Sequence, residues 1–548
     1  MILALQRKVL FATVNKGFGW KRFGSVTLER FRNTEIPWTT RNFSANPPMR
    51  DNEKTGGEEM VYDAIVVGLG GVGSFALRSL VRGKEGRDNS NSGSSGNDED
   101  SSSGSGLRVL GLERFHIGHE LGSSHGSTRL FRHAYFEHPN YVPLCLRSTE
   151  TFHELSDWKR KKATETREDK DVPMPLPLLE DCGVLVVSDG GTSGSYEVIE
   201  RCAESARIFG LPVKTMETSE LREEYGSCFH IPPENDETSL KGLLEEGAGF
   251  VRPELAVQYA IEDALCHGAE IVEGVVVKEI RELKEEGAPI YAIQTSDGNA
   301  YLSRGVVISA GAWASKLIPE LDSFLTVTRQ VQAWFELSPP SEEKKTNSST
   351  TKAQSSLSAK TALPPVGWFL DRAKDEIPIY GIPADPLSEH PTWSKIALHG
   401  RRVPFDPDSF DGEAAGDNGE PLQRPGVTEQ ELDELRNTVR DWIPGAETGI
   451  VRAKACLYTM TPDEHFVVDR CCEMAGKNHR SGNDDGSTEG RPSNVWYAAG
   501  LSGHGFKMTP ALGEALADLV VSGETDLPVD FLKKDRLLQD DEKKQQSS

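Results

Sequence analysis

The chemistry written most plainly in the sequence is the binding of a pyrophosphate. Ala64-Ile65-Val66-Val67 is a short apolar run, and Gly68-Leu69-Gly70-Gly71-Val72-Gly73 follows it at once. From Ser74 to Arg82 apolar residues return at helical spacing. Strand, glycine turn and helix in that order put Gly68 at the tight turn and Gly70 where main chain must approach phosphate. Gly73 then falls where the helix packs on its strand. The helix N-terminus offers free N–H groups and the positive end of its dipole. Such a turn needs an acid on the next strand, about 20 residues on, to hold a ribose hydroxyl. Leu107 to Glu113 reads as that strand, but Glu113 comes late unless residues 86–106 are an insertion. They are almost wholly Gly, Ser, Asn and acid, a composition that cannot bury enough apolar surface to offset chain entropy. A loop on the edge opposite the cofactor crevice tolerates them.

Two later segments return to the same fold. Val306 to Trp313 is a strand running into a glycine turn at Gly311, and Val495 to Gly500 is another. The second leads through Leu501-Ser502-Gly503-His504-Gly505-Phe506-Lys507 to a helix over about Thr509 to Ser522. Pro253 to Cys266 has the apolar pattern of an amphipathic helix, followed by a strand from Glu270 to Val277, and Glu429 to Trp442 reads as a helix.

The chain that must position these residues has 548 of them, enough for about three domains. With 61 Lys and Arg against 85 Asp and Glu, the net charge of −24 argues against a nucleic-acid partner. No apolar stretch reaches the ~18 residues of a membrane span. The 8 cysteines show no CxxC pair or zinc spacing, so no metal site is expected. Residues 341–361, 406–424 and 472–493 are polar like 86–106, and all four read as loop insertions that supply much of the acidity. Residues 533–548 read as a polar tail. Residues 1–50 carry nine Lys or Arg with only Glu29 and Glu35 as acids, and reach Arg41-Asn42-Phe43-Ser44. That is the pattern of a transit peptide over 1–48, mitochondrial before plastid, with a cytoplasmic protein behind a disordered leader as the alternative. The C-terminal Gln-Gln-Ser-Ser is not a peroxisomal address.

From Gly122 to Tyr135 (Gly-Ser-Ser-His-Gly-Ser-Thr-Arg-Leu-Phe-Arg-His-Ala-Tyr) the chain resembles the monomeric sarcosine oxidase family, which includes pipecolate and N-methyltryptophan oxidases. The likeness recurs at Gly311-Ala312-Trp313, Tyr380-Gly381-Ile382-Pro383, Lys395 to His399, Ala455 to Thr459, Asp463 to Phe466 and Gly503 to Lys507. It spans roughly residues 61 to 532. The resemblance implies an α/β plus α+β protein: a Rossmann-like FAD-binding domain, discontinuous over 60–140, 246–318 and 445–532. A mainly antiparallel substrate domain would occupy 141–245 and 319–444. It implies FAD bound by Gly68, Gly70, Gly73, Glu113, His125, Thr128, Gly311, Gly503 and Gly505. Cys456 would join the flavin through a thioether, with Lys454 and Arg452 favouring its thiolate.

By the same resemblance Arg132 and Lys507 clamp the substrate carboxylate, the Arg fork bidentate and the Lys a point charge. Arg129 lies near the flavin. Lys395 is the oxygen-activating cation and His399 contacts the amine; in a strand both point to one face. Tyr135, Tyr380 and Tyr458 line the substrate cavity. The implied activity is oxidation of the C–N bond of a secondary amino acid, of sarcosine or pipecolate type, to an imine, with O2 reduced to H2O2 by a monomer. A fructosyl amino-acid oxidase, a mitochondrial sarcosine-type dehydrogenase passing electrons to another flavoprotein, and an inactive flavin-binding scaffold remain open alternatives.

Overall fold

The computed structural model describes residues 60–88, 106–166, 173–190, 196–231, 239–283, 288–336, 364–371, 377–410, 425–443, 446, 449–472 and 493–538. The leader, the 341–361 insertion and most of the other three insertions lie outside them. Ala64–Val67 is buried at every position, as a strand covered on both faces must be. It sits inside a six-stranded sheet in the order Glu270–Val272, Val109–Leu112, Ala64–Val67, Val306–Ile308, Val495–Ala499 and Val467–Arg470. The first five run parallel, and the last pairs antiparallel with Val495–Ala499. The fold is the Rossmann-like α/β arrangement that the glycine turn requires. A Cβ on Gly73 would lie 1.8 Å from the Gly68 carbonyl oxygen, so only glycine lets the Gly71–Asp88 helix begin this close to its strand.

Three helices cover one face and share a buried charge network. Asp263, on the Pro253–Cys266 helix, accepts from Arg78 Nε at 2.6 Å and Arg82 Nη1 at 3.0 Å, both on the Gly71–Asp88 helix. Arg78 Nη2 also donates to Glu154 at 2.8 Å, on the Tyr141–Thr166 helix. That last helix was expected in the substrate domain at 141–245. Its apolar face instead packs with the nucleotide-side helices, with Tyr141, Leu144 and Cys145 in one core with Leu512 and Leu516.

The second large sheet has eight strands, in the order Ile450–Met460, Thr326–Phe335, Ser394–Leu398, Ile379–Ile382, Gly367–Asp371, Val184–Ser188, Lys241–Glu245 and Lys214–Glu217. Every pairing is antiparallel except that of Gly367–Asp371 with Val184–Ser188. The Glu429–Trp442 helix, begun by a Thr428–Glu431 capping box, buries Leu435 and Val439 in the core that holds Ile396 and Leu398. Strand alternation therefore turns Lys395 to the opposite face. The strand carrying Cys456 belongs to this sheet, not to the nucleotide half expected from residue 445. Antiparallel pairing with all ten residues of Thr326–Phe335 holds it there, and the chain returns to the nucleotide sheet only at Val467.

Two further expectations change. Residues 406–410 of the third insertion are anchored, Asp408 accepting from Arg114 Nη1 and Trp313 Nε1, each at 2.8 Å. The start of the polar tail is tied down as well: Leu537 is buried, and Arg536 donates to Asp463 at 2.7 Å. Burial alone would raise the Asp263 carboxyl, but His267, Arg78 and Arg82 hold it well below the usual carboxylate range. Its contribution is therefore complete above the unfolded pKa of ~4 and is lost as pH falls toward the lower folded value. Asp263→Asn is expected to cost about 3 kcal/mol in urea unfolding at pH 7, and to flatten the acid limb of the stability profile.

Candidate active site

A cavity of about 460 Å³ opens along the carboxyl ends of the parallel strands and runs under the eight-stranded sheet. Its first part is the glycine turn. Gly68 has φ +87 and a Cβ there would sit 2.6 Å from the Ser309 carbonyl. Glu113, just past the Val109–Leu112 strand, accepts from Leu69 N at 2.7 Å and Phe115 N at 3.0 Å. Burial pushes its carboxyl up, but His119 and those two N–H groups bring it below the ordinary range, so it is an ionised acceptor. Gly311 lines the cavity past the Val306–Ile308 strand, and Gly503 and Gly505 line it before the Thr509–Ser522 helix. A Cβ on Gly503 would fall 2.2 Å from the Tyr458 ring.

The middle of the seam is polar. Lys395, 1% exposed, donates to the carbonyls of Gly126, at 3.1 Å, and Thr128. Burial above all, and Arg129 beside it, push its amine well below the usual lysine range. Arg129 Nη2 donates to the Ser123 carbonyl at 3.1 Å and faces Cys456 Sγ at 3.6 Å. Lys454 and Arg452, the expected partners of Cys456, turn instead to Glu120. His125 is buried with neither ring nitrogen hydrogen-bonded, and Gln332 Nε2 likewise has no partner. The glycine cradle and the ionised Glu113 fit the nucleotide end of a dinucleotide, and the orphaned His125 and Gln332 groups leave hydrogen-bonding capacity unused beside the same seam. Gly73, His125, Thr128, Lys395 and Cys456 stand behind the cavity wall rather than on it.

The far end gathers the charges. Arg132 is 5% exposed; its Nη2 meets both Glu137 carboxylate oxygens at 3.0 and 3.1 Å, and its plane lies over Tyr135 and Phe136. Burial raises Glu137, but Arg132 above all brings it down to about 2. Lys507 Nζ donates to Tyr135 Oη at 2.9 Å and to the His504 carbonyl at 2.7 Å. Burial and Arg132 lower it to about 8. His399 reaches Tyr458 Oη at 3.4 Å, and burial brings it to about 4, so the ring is neutral at neutral pH. Tyr380 and Tyr458 line the cavity with His399, as expected. Tyr135 does not: it is 1% exposed and its hydroxyl is spent on Lys507 and His504.

Several residues at the site went unread in the sequence. Glu137 lies five positions past Arg132, in the same segment, and an acid beside a buried Arg was a usable signal. Glu254 accepts from Gly126 N at 2.5 Å and Ser127 N at 3.0 Å, which holds Ser127 at φ 64. Its place in a helix's first turn marked it only as a dipole-compensating acid. Phe136 and Phe369, rings 5.8 Å apart on the cavity wall, and Gln332 carried no local signal.

Residues 63–519 match the family model described as FAD dependent oxidoreductase. The chain is 29% identical over 483 residues to a monomeric sarcosine oxidase of Streptomyces avermitilis, covering 87% of this chain and 98% of that one. It is 28% identical over 462 residues to an N-methyl-L-tryptophan oxidase of Yersinia pestis, covering 84% and 94%. The solved L-proline dehydrogenase of P. horikoshii superposes with a TM-score of 0.58 at 18% identity, over 88% of this chain and 99% of that one.

With Lys507 lowered to about 8, a carboxylate placed beside it would lose one ionic partner as pH rises through that value. Acetate affinity, read by calorimetry, is expected to fall about tenfold from pH 7 to pH 9.5. In Lys507→Met acetate should bind weakly at both pH values, with that dependence gone.

Proposed function

The chain belongs to the FAD dependent oxidoreductase family, and from that premise we propose that it oxidises the C–N bond of a secondary amino acid, of sarcosine or pipecolate type, to an imine. The observation that carries the reading is the convergence of buried Arg132 and Lys507 on the cavity that His399 and Tyr458 also line. The relatives named for sarcosine and N-methyl-L-tryptophan oxidation support it. FAD, when bound, would supply the acceptor for the hydride equivalent lost from the carbon next to nitrogen as C–N becomes C=N, the amine proton leaving separately, and O2 would take up the two electrons with two protons as H2O2. The residues proposed to hold it are the Gly68–Gly73 turn and Glu113 at the nucleotide end and Gly311, Gly503 and Gly505 farther along the cavity, with His125 and Thr128 supporting them from behind its wall.

The chain's own groups then have separable tasks. Arg132 and Lys507 hold the substrate carboxylate, for which Glu137 must yield the Arg132 fork. With these cations close by, an ammonium on the substrate is disfavoured, so the amine enters in its reactive neutral form. Neutral His399 accepts from that amine and orients it against Tyr458. Phe136, Phe369 and Tyr380 exclude water from the reacting carbon. Lys395, with Arg129 between it and the cavity, is the proposed oxygen-activating cation. Cys456, with the Arg129 guanidinium 3.6 Å away, is the proposed point of covalent attachment. The acid-poor leader supports import into mitochondria.

Anaerobic addition of sarcosine, L-pipecolate, N-methyltryptophan, proline or a fructosyl amino acid should bleach the visible flavin absorbance with one of the first three, and air should restore it. Bleaching by the fructosyl compound alone, or by none, would sink the substrate assignment. Acid precipitation should leave the yellow chromophore on the wild-type pellet and release it from Cys456→Ser; release from both rules out the thioether.

A further inference from the structure

Both arms of the carboxylate clamp depend on one short stretch of main chain, and a carboxylate from the eight-stranded sheet holds that stretch in place. The Arg129–Phe131 strand ends just before Arg132, and the chain then bends away from its sheet. The N–H groups of His133 and Ala134 are thereby left buried without a ladder partner, which is costly unless a side chain supplies an acceptor. Glu245, at the end of the Lys241–Glu245 strand and 4% exposed, does so. Its Oε2 accepts from His133 N at 3.0 Å and from Ala134 N at 2.9 Å. Its Oε1 lies 2.6 Å from His133 Nδ1.

The far side of His133 is fixed too: its Nε2 lies 2.8 Å from Thr149 Oγ1, which is itself 3.0 Å from the Cys145 carbonyl. Burial raises the Glu245 carboxyl, but His133 and the two main-chain N–H groups bring it below the usual range, which keeps both oxygens as acceptors.

From this anchor the geometry passes outward along covalent bonds. Ala134 is held at its N–H by Glu245, and its carbonyl accepts from Arg132 Nη1 at 2.5 Å. One residue on, Tyr135 N donates to Ser205 Oγ at 3.0 Å, and the Tyr135 hydroxyl accepts from Lys507 at 2.9 Å. Moving the 133–134 peptide therefore moves the Arg132 fork directly and the Lys507 ammonium through the Tyr135 phenol. We propose that Glu245 is a positioning residue for substrate recognition, setting the aim of both Arg132 and Lys507 at a carboxylate that it never touches. The proposal rests on reading those two cations as a carboxylate clamp.

Glu245→Gln keeps the side-chain volume but turns an N–H donor toward groups that need an acceptor. Acetate and its neutral isostere acetamide are the probes, titrated by calorimetry into the purified flavoprotein. The variant is expected to bind acetate about tenfold more weakly while acetamide affinity is unchanged. Its kcat/KM for the amino acid found by flavin bleaching should fall through KM rather than kcat. An acetate-to-acetamide ratio equal to that of the wild type, or an equal loss for both ligands, overturns the assignment. Should Glu245→Gln not fold, Glu245→Asp keeps the charge one methylene short of the two N–H groups. It is expected to lose about threefold in the same ratio, and a wild-type ratio there overturns the assignment equally. A wild-type protein without preference for acetate overturns the clamp reading itself and Glu245's role with it, while the flavin-bleaching result stands apart.

Discussion

Burying positive charge is the constraint on which the rest of this structure depends. Arg132, Lys395 and Lys507 are buried along one seam, and Arg129 is half-buried beside them. Taking such an ion out of water costs several kcal/mol unless the protein replaces its hydration. The replacement is made mostly of main-chain carbonyls: Gly126 and Thr128 for Lys395, His504 for Lys507, Ala134 for Arg132, Ser123 and Thr128 for Arg129. Carbonyls inside regular helices and sheets are already spent, so the seam has to be walled by turns. The positive φ values of Gly126, Ser127, Ser502 and Gly503 are where the chain turns its carbonyls and N–H groups to that use.

Those turns need rigid walls, and the two large sheets supply them. The parallel sheet opens at its carboxyl edge, where successive strands leave a crevice that the helices do not cover. The eight-stranded sheet presents Tyr380, His399 and Tyr458 to that crevice, with Lys395 and Cys456 behind them, while its other face is sealed by the Glu429–Trp442 helix. Acids then cross from one element to another as braces: Glu254 onto the Gly126–Ser127 turn, Glu137 onto Arg132, Glu245 onto His133 and Ala134. Residues 406–410 reach the nucleotide end of the cavity in the same way, through Asp408.

The sequence by itself determined the elements whose information is local. Ala64–Val67 with its glycine turn, the Pro253–Cys266 helix, the Glu429–Trp442 helix behind its capping box and the Thr509–Ser522 helix all appear where apolar period and end signals place them. Glu113 was legible across its insertion because strand, turn and acid form one local unit. The motif segments also named Arg132, Lys507, His399, Tyr380 and Tyr458, which the fold brings to one cavity.

Only the tertiary structure decided the partners. That Cys456 faces Arg129 while Lys454 turns to Glu120, that Tyr135 serves Lys507 from behind the wall, and that Glu245 holds the His133 and Ala134 N–H groups are contacts between residues far apart in the chain. The same holds for domain membership. The Tyr141–Thr166 helix and the Ile450–Met460 strand look alike locally wherever they pack, and their places follow from which apolar face and which strand edge is open to them. Periodicity and end signals act over a few residues, whereas burial and charge compensation are settled only when distant segments meet. The types of the chemical groups were therefore readable along the chain, and their aim and their charge were set by the packing.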